Sequence, residues 1–166
     1  MATKPVAVVM GSDSDLPVVG EAVKLLAEMG VEAEVRVLSA HRSPEAVHEF
    51  ATTAEKRGVK VIIAAAGGAA HLAGVVASLT TLPVIGIPME TAAFKGVDSF
   101  LSTLQMPAGV PVATMAVGAP GATNAAVLAC QILALSDPAL RAKLADYKAA
   151  LARKVAEKDR KVGEKK

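Results

Sequence analysis

The chain has 166 residues and a formal net charge of only +2, with one Tyr, three Phe and no Trp. This length is sufficient for one domain with a substantial core, and the nearly neutral balance excludes the basic stripe of a duplex-binding protein. The scarcity of aromatic rings also excludes a base-stacking platform for single-stranded nucleic acid.

Two features bear on the cellular compartment. The single cysteine, Cys130, permits no internal disulfide and suits a reducing environment. The N-terminus leads directly into a strand-like segment and lacks the basic and apolar regions of a signal peptide. We therefore expect a cytoplasmic protein.

Short apolar runs rich in β-branched residues alternate with helical patterns along the chain. The predicted strands are Val6–Met10, Ala33–Leu38, Val61–Ala66, Val84–Ile87 and Val112–Val117. The predicted helices are Leu16–Met29, Pro44–Arg57, His71–Leu79, Asp98–Gln105 and Ala122–Leu135. Apolar strands separated by helices are typical of a parallel sheet that is covered on both faces. We predict an α/β fold, a doubly wound parallel sheet with right-handed crossovers, in a single domain over residues 1–166.

The region between Asp98 and Asp137 contains no charged residue and no histidine. Prolines and glycines divide it into pieces shorter than the ~20 residues that a membrane span needs. Charge depletion is typical of the buried core of subunit interfaces, and a central buried strand and helix would account for part of it. We expect a homo-oligomer with this region, the uncharged stretch, packed between subunits.

The last segment of the chain is predicted to be one helix over about residues 137–160. Its apolar residues recur at helical spacing and place Leu140, Leu144, Tyr147 and Leu151 on a single face. Beyond them the segment becomes densely charged. We expect this stripe to pack on a neighbouring subunit.

The first of three unusual loops, GSDSD, follows the first predicted strand. Ligands of open α/β sheets bind outside the carboxyl ends of the strands, and backbone N–H groups at a helix start favour an anion such as phosphate. Ser12 and Ser14 offer further donors, and Asp15 offers an acceptor for ribose hydroxyls. The pattern fits equally well a helix that is simply capped by Ser14 or Asp15.

The second loop, SAHRS, follows the second predicted strand. Ser43 and Pro44 form an N-cap and first-turn pair, which places His41 and Arg42 just ahead of a helix. Arg42 is either a solvated charge or a bidentate phosphate partner, and His41 either makes a structural hydrogen bond or carries protons. His48, on the following helix beside Glu49, is interpreted as a structural residue without a catalytic role.

The third loop, within AAAGGAAHLAG, contains the smallest side chains of the protein. Gly67 and Gly68 allow a ligand to approach the backbone closely, although glycine and alanine runs also serve tight strand–helix packing. His71 fits either a helix cap or a group that points into the pocket. No cluster has metal-ligand spacing, and the P-loop, GxGxxG and GxSxG patterns are absent.

Five motifs, VMGSDSD, SAHRSP, AGGAAHL, GVDS and QMPAGVPV, occur in this order between about Val6 and Leu135. Together they resemble the bacterial 5-(carboxyamino)imidazole ribonucleotide mutases of de novo purine (IMP) biosynthesis. The resemblance implies a flavodoxin-like three-layer sandwich assembled as a homo-octamer, without a metal or organic cofactor. It also implies transfer of a carboxyl group from an exocyclic nitrogen to a ring carbon, through decarboxylation, retention of carbon dioxide and recarboxylation.

The resemblance further implies roles for individual residues. His41 would be the general acid and base, and Ser12, Asp15 and Arg42 would hold the ribose phosphate. The full set of candidate substrate-binding residues is Ser12, Ser14, Asp15, Ser39, Arg42, Gly67, Gly68, Ala69, Ala70, His71 and Leu72.

Two alternatives to the mutase remain at this stage. A sister class that uses free carbon dioxide carries Lys after the histidine and Arg-Ser-Asn in the third loop, whereas Arg42 and GGAAH here resemble the mutases. The second alternative is a non-catalytic module that binds a sugar phosphate or nucleotide. Ala73 is a departure from the mutases, which usually have proline after His-Leu.

Overall fold

The computed structural model describes residues 4–164 and contains one five-stranded parallel sheet. The strands are β1 (Val6–Met10), β2 (Ala33–Val37), β3 (Val61–Ala66), β4 (Val84–Pro88) and β5 (Ala113–Thr114). The helices are α1 (Leu16–Glu28), α2 (Pro44–Thr53), α3 (Leu72–Leu79), α4 (Val97–Leu104), α5 (Ala119–Leu133) and α6 (Pro138–Gly163). The strand order β2-β1-β3-β4-β5 is that of a flavodoxin-like sandwich, so the predicted α/β fold is confirmed.

The sheet separates two apolar cores, because neighbouring residues of a strand point to opposite faces. Val8 of β1 packs with α1 and α5, whereas Val9 packs with α2 and α3 on the other face. Helix α4 lies on the second face as well, since a Cβ on Gly86 of β4 would meet both Thr103 of α4 and Ala73 of α3. This close approach of α3 and α4 brings α4 near the edge of the sheet where the third loop lies.

Most predicted elements are confirmed, and several of their boundaries move by a few residues. The helix predicted over Pro44–Arg57 divides into α2 and a 3-10 turn at Glu55–Arg57, and Gly58 ends it with φ +88°. The fifth strand is wrong in length, because only Ala113 and Thr114 of the predicted Val112–Val117 pair with β4. Helix α5 begins three residues before the predicted Ala122, with Pro120 in its first turn.

Strand β2 departs from the expectation of strands covered on both faces. It pairs only with β1 and forms the edge of the sheet, where Val35 and Val37 are exposed. Arg36 and Glu34, which alternate with these valines, form an ion pair. Charged residues on an edge strand oppose pairing with another sheet.

The C-terminal helix extends the domain beyond the sheet. Leu140 is buried in the chain's own core, and Leu144 and Tyr147 pack against that core. Lys143 donates a hydrogen bond from Nζ to the carbonyl of Met29, which ends α1. Leu140, Leu144 and Tyr147 of the predicted apolar stripe therefore pack within the chain, whereas the fourth stripe residue, Leu151, remains exposed.

Candidate active site

The three unusual loops lie together at one edge of the sheet. Strand β1 pairs with β2 and β3 in a register that aligns Met10 with Val37 and with Ala65. The ladder continues one residue further, because Gly11 donates its N–H to Ala65 O at 3.0 Å and Leu38 donates to Met10 O at 2.8 Å. The three strands thus end level, and their loops surround one pocket of about 440 Å³.

Most candidate residues line this pocket. The lining residues are Gly11, Ser12, Ser14, Asp15, Ser39, Ala40, His41, Arg42, Ala66, Gly67, Ala69, His71 and Leu72. The candidates Gly68 and Ala70 do not line it, since Gly68 bonds to α4 and Ala70 is buried with 1% exposure. Gly11, Ala40 and Ala66 also line the pocket but lie outside the predicted set. Gly11 and Ala66 lie at the ends of β1 and β3, and Ala40 lies between Ser39 and His41, so their position in the sequence is the signal that could have located them.

Arg42 joins the first two loops. Its Nη2 donates to Gly11 O at 2.7 Å, and its Nε donates to Ser39 Oγ at 3.2 Å. These bonds hold the guanidinium in one orientation at the pocket, and none of the ion pairs found between residues 4 and 164 includes it. A fixed guanidinium without a carboxylate partner is suited to bind a phosphate or another anion.

Ser12, and not Ser14 or Asp15, caps the turn of the first loop. Ser12 Oγ accepts hydrogen bonds from the backbone N–H of Ser14 at 3.3 Å and from Ser14 Oγ at 2.8 Å. Asp15 occupies the N-cap position of α1 but makes no capping bond with its side chain. The hydroxyls are thereby held at the helix start, where N–H groups and the helix dipole favour an anion.

The second loop is closed by two serines. Ser43 occupies the predicted N-cap position of α2, but its side chain caps no N–H of that helix. Ser43 Oγ instead accepts from Ser39 N–H and donates to Ser39 O, both at 3.1 Å. These bonds hold Ser39 in place, and its Oγ also accepts a hydrogen bond from the backbone N–H of Arg42. His41, in the same loop, is exposed.

His41 and His71 form a pair across the pocket. The distance between Nε2 of His41 and Nδ1 of His71 is 2.8 Å, and the rings are nearly perpendicular at 82°. One imidazole must donate the proton and the other must accept it. His71 precedes α3 without a side-chain capping bond, so of the two predicted alternatives the structure places it in the pocket. His48 lies exposed on α2, outside the pocket.

Among residues 4–164, the pKa values of Asp15 and Cys130 are raised. Burial raises the pKa of Asp15, the charge of Asp13 adds to this effect, and a backbone hydrogen bond from Ser12 opposes it. Burial in α5 also raises the pKa of Cys130 to about 11, so this thiol is protonated at neutral pH, and Cys130 does not line the pocket. Between residues 4 and 164 no group of His, Cys, Asp or Glu side chains could hold a metal ion. No helix in that range combines the length and apolarity of a bilayer crossing.

Comparison with known proteins identifies the family. Residues 5–154 match the AIR carboxylase family. A Pyrococcus horikoshii protein named N5-carboxyaminoimidazole ribonucleotide mutase is 53% identical over 159 residues, which cover 96% of this chain and 89% of that protein. A Mycobacterium tuberculosis protein of the same name is 54% identical over 154 residues, 93% of this chain and 87% of the relative.

A solved structure agrees with these matches. The crystal structure of Treponema denticola PurE superposes with a TM-score of 0.85 at 30% identity, covering 94% of this chain and 96% of that one. The fold and the pocket at the carboxyl ends of β1, β2 and β3 define an α/β ligand-binding protein of flavodoxin-like architecture. The chain belongs to the AIR carboxylase family.

The raised pKa of Asp15 predicts a pH-dependent effect of the substitution Asp15→Asn. A carboxyl group whose pKa is higher in the folded chain than in the unfolded chain destabilises the folded state once the group ionises. This cost is present at neutral pH, and it is absent at a pH where the group is protonated in both the folded and the unfolded chain. We expect Asp15→Asn to increase the free energy of unfolding at pH 7 and to leave it nearly unchanged at pH 3. Urea denaturation at the two pH values measures the difference.

Asp146→Asn, an exposed change on α6, provides the control and should alter stability little at either pH. A gain for Asp15→Asn that is equally large at pH 3 would contradict an electrostatic origin.

Proposed function

We propose that this protein is an N5-carboxyaminoimidazole ribonucleotide mutase of de novo purine biosynthesis. The observation that carries the proposal is the contact of His41 with His71 in the same pocket as the guanidinium of Arg42, which has no carboxylate partner among residues 4–164. A proton carrier and an anion anchor are the two elements that a ribonucleotide isomerase of this type requires. Relatives more than 50% identical that bear the mutase name support the proposal.

The ribose phosphate binds at the first two loops. Arg42 supplies charge-assisted hydrogen bonds, and the Ser12–Ser14 turn supplies donors at the start of α1. Asp15 accepts hydrogen bonds from the ribose hydroxyls at the rim of the same turn. The imidazole base then extends toward the third loop, where Gly67 and Ala69 leave space for a flat ring and for carbon dioxide.

The chemistry consists of two proton transfers on either side of a carbon dioxide intermediate. The bond between the exocyclic nitrogen and the carboxyl carbon breaks, carbon dioxide departs, and His41 gives its proton to the nitrogen. The ring carbon then attacks carbon dioxide, and His41 removes the proton from that carbon. The overall reaction is an isomerisation, so the histidine returns to its initial state and no cofactor is consumed.

His71 assists by holding the ring of His41. The contact between His71 Nδ1 and His41 Nε2 orients the imidazole of His41 at the pocket. Confinement of carbon dioxide supplies a further large factor, since effective molarities of about 10⁵ M or more are reached by well-oriented partners.

The uncharged stretch supports assembly into a homo-oligomer. The resemblance to the mutases implies that this oligomer is an octamer. Helix α4 presents Leu101 and Leu104 to the exterior with 49% and 45% exposure, and Val97 on the same face is 57% exposed. An apolar helix face next to a charge-free region has the composition of an interface core. The partner of this face is a second copy of the chain. We assign the assembly to the cytoplasm, as the compartment of the proposed purine biosynthesis.

The mutase, the carboxylase and the binding module are distinguished by the fate of a label. Purified protein is given N5-carboxyaminoimidazole ribonucleotide that is labelled in its carboxyl carbon, with excess unlabelled bicarbonate and no ATP. We expect the carbon-carboxylated product to retain the label, because carbon dioxide is captured before it leaves the pocket. Diluted label at a rate that follows added carbon dioxide would indicate the carboxylase, and binding without product would indicate the binding module.

The role of His41 predicts a large loss of rate in the variant His41→Asn. We expect kcat to fall at least ~10²-fold, the lower range for one acid–base group, while nucleotide binding persists because the anion anchor is intact. Steady-state kinetics and isothermal titration calorimetry measure the two effects. His48→Asn is the matched control and should have normal activity. Normal turnover of His41→Asn would refute the assignment.

The exposed face of α4 predicts the behaviour of the assembly in solution. We expect sedimentation velocity to detect an octamer for the unmodified protein and smaller species for Leu101→Glu, because a buried carboxylate opposes an apolar interface. Val162→Glu, which places the same charge on an exposed valine outside the uncharged stretch, should leave the octamer intact. A monomeric unmodified protein would contradict the proposal, as would equal dissociation of both variants.

A further inference from the structure

Helix α4 contacts the third loop from the side opposite to the pocket. Ser99, which is completely buried, accepts a hydrogen bond from the Gly68 N–H to its Oγ at 2.8 Å. Ser102 Oγ donates to Gly68 O at 3.3 Å and to Asp98 O at 2.7 Å, so its one proton is shared between the two carbonyls. The N–H and the C=O of Gly68 are therefore both held by hydroxyls of α4, and neither serine lines the pocket.

Gly68 determines the course of the chain toward the histidine pair. Its φ of +67° lies in the left-handed region, which glycine adopts with little strain. Two tight backbone bonds follow, from Ala70 N–H to Gly68 O and from His71 N–H to Ala69 O, each at 2.8 Å. The segment from Gly68 to His71 is thus coiled with little freedom, and a displacement of Gly68 is transmitted to the ring that contacts His41.

The helix that holds Gly68 is itself firmly placed. Thr91 donates from Oγ1 to both carboxylate oxygens of Asp98, at 2.9 and 3.0 Å, and so fixes the first turn of α4. Thr103 is buried against β4 at Gly86, where no side chain would fit. The position of the two serines is consequently set by the sheet and not by the loop that they contact.

We propose that Ser99 and Ser102 are positioning residues, which hold Gly68 so that His71 and His41 keep their contact at the pocket. Neither serine lines the pocket, neither bonds to Arg42, and both act only through the third loop. The expected effect on kcat rests on the proposed mutase function. The expected effect on the positions of the His41 and His71 rings does not depend on that function.

The substitution Ser99→Ala separates positioning from binding. It leaves the partly buried N–H of Gly68 without its partner, which favours a shifted loop. We expect kcat for the mutase reaction to fall roughly 10- to 100-fold, because misplacement of a catalytic group by about 1 Å has an effect of that order. We expect KM to change by less than about threefold, because Arg42 and the Ser12 turn hold the phosphate independently of α4.

Nuclear magnetic resonance of ring-labelled histidine supplies a readout that does not require activity. The chain has three histidines, and His48 on α2 serves as an internal reference. In Ser99→Ala we expect the imidazole signals of His41 and His71 to shift while those of His48 do not. Ser78→Ala is the control: like Ser102, Ser78 donates to a carbonyl of its own helix, Val75 O at 2.7 Å, but it does not line the pocket.

The conservative variant Ser99→Thr keeps the hydroxyl and should restore most of the rate and the ring signals. If the added methyl prevents folding, Ser102→Ala and Ser102→Thr at the half-buried position give the same comparison with the same readouts. Unchanged histidine signals in Ser99→Ala would overturn the inference, even with a lower rate. Equal changes in kcat and KM would also overturn the inference, as would a loss of kcat that neither Ser99→Thr nor Ser102→Thr restores. If the unmodified protein lacks mutase activity, the ring signals still decide, so failure of the proposed function is distinguishable.

Discussion

The level ending of three neighbouring parallel strands is the constraint on which the site depends. Because β1 pairs with β2 on one side and β3 on the other, in the same register, Gly11, Leu38 and Ala66 emerge at one edge. The ladder bonds of Gly11 and Leu38 extend this alignment into the loops. Each loop then supplies a different chemical group to a shared space, and a shift of one strand by one residue would turn its side chains to the opposite face.

The pocket combines a fixed guanidinium with an imidazole that the proposed mechanism uses as the proton carrier. Arg42 and His41 are adjacent in sequence, yet the guanidinium is directed to Gly11 O while the imidazole is directed to His71. In the proposed mechanism, this separation lets one loop anchor an anion and move a proton without placing both charges at the same point. A bound phosphate dianion would offset the guanidinium charge and reduce its repulsion of a protonated His41.

Helix α4 has two faces with different tasks. The inner face, with Ser99, Ser102 and Thr103, bonds the third loop and packs on β4. The outer face, with Leu101 and Leu104, is apolar and exposed. This short helix therefore takes part in both the proposed subunit contact and the support of the proposed active site.

Local signals determined much of this protein. Alternating apolar runs predicted the strands and helices, and glycine, serine and histidine clusters predicted three loops whose side chains line the pocket. Gly68 and Ala70 were indistinguishable from their neighbours in that pattern, because composition does not say which side of a loop faces the ligand. The two-residue β5 was overestimated, since an apolar run shows burial but not whether a partner strand lies within hydrogen-bonding distance.

Only the tertiary structure decided which groups meet. His41 and His71 are separated by 30 residues, and Gly68 and Ser99 by 31. Neither contact has a local signature, because each arises from the order of strands in the sheet and from the packing of α3 and α4 upon it. Sequence specifies the residues that can carry protons and anions, whereas their distances follow from how the helices fill the space above the sheet.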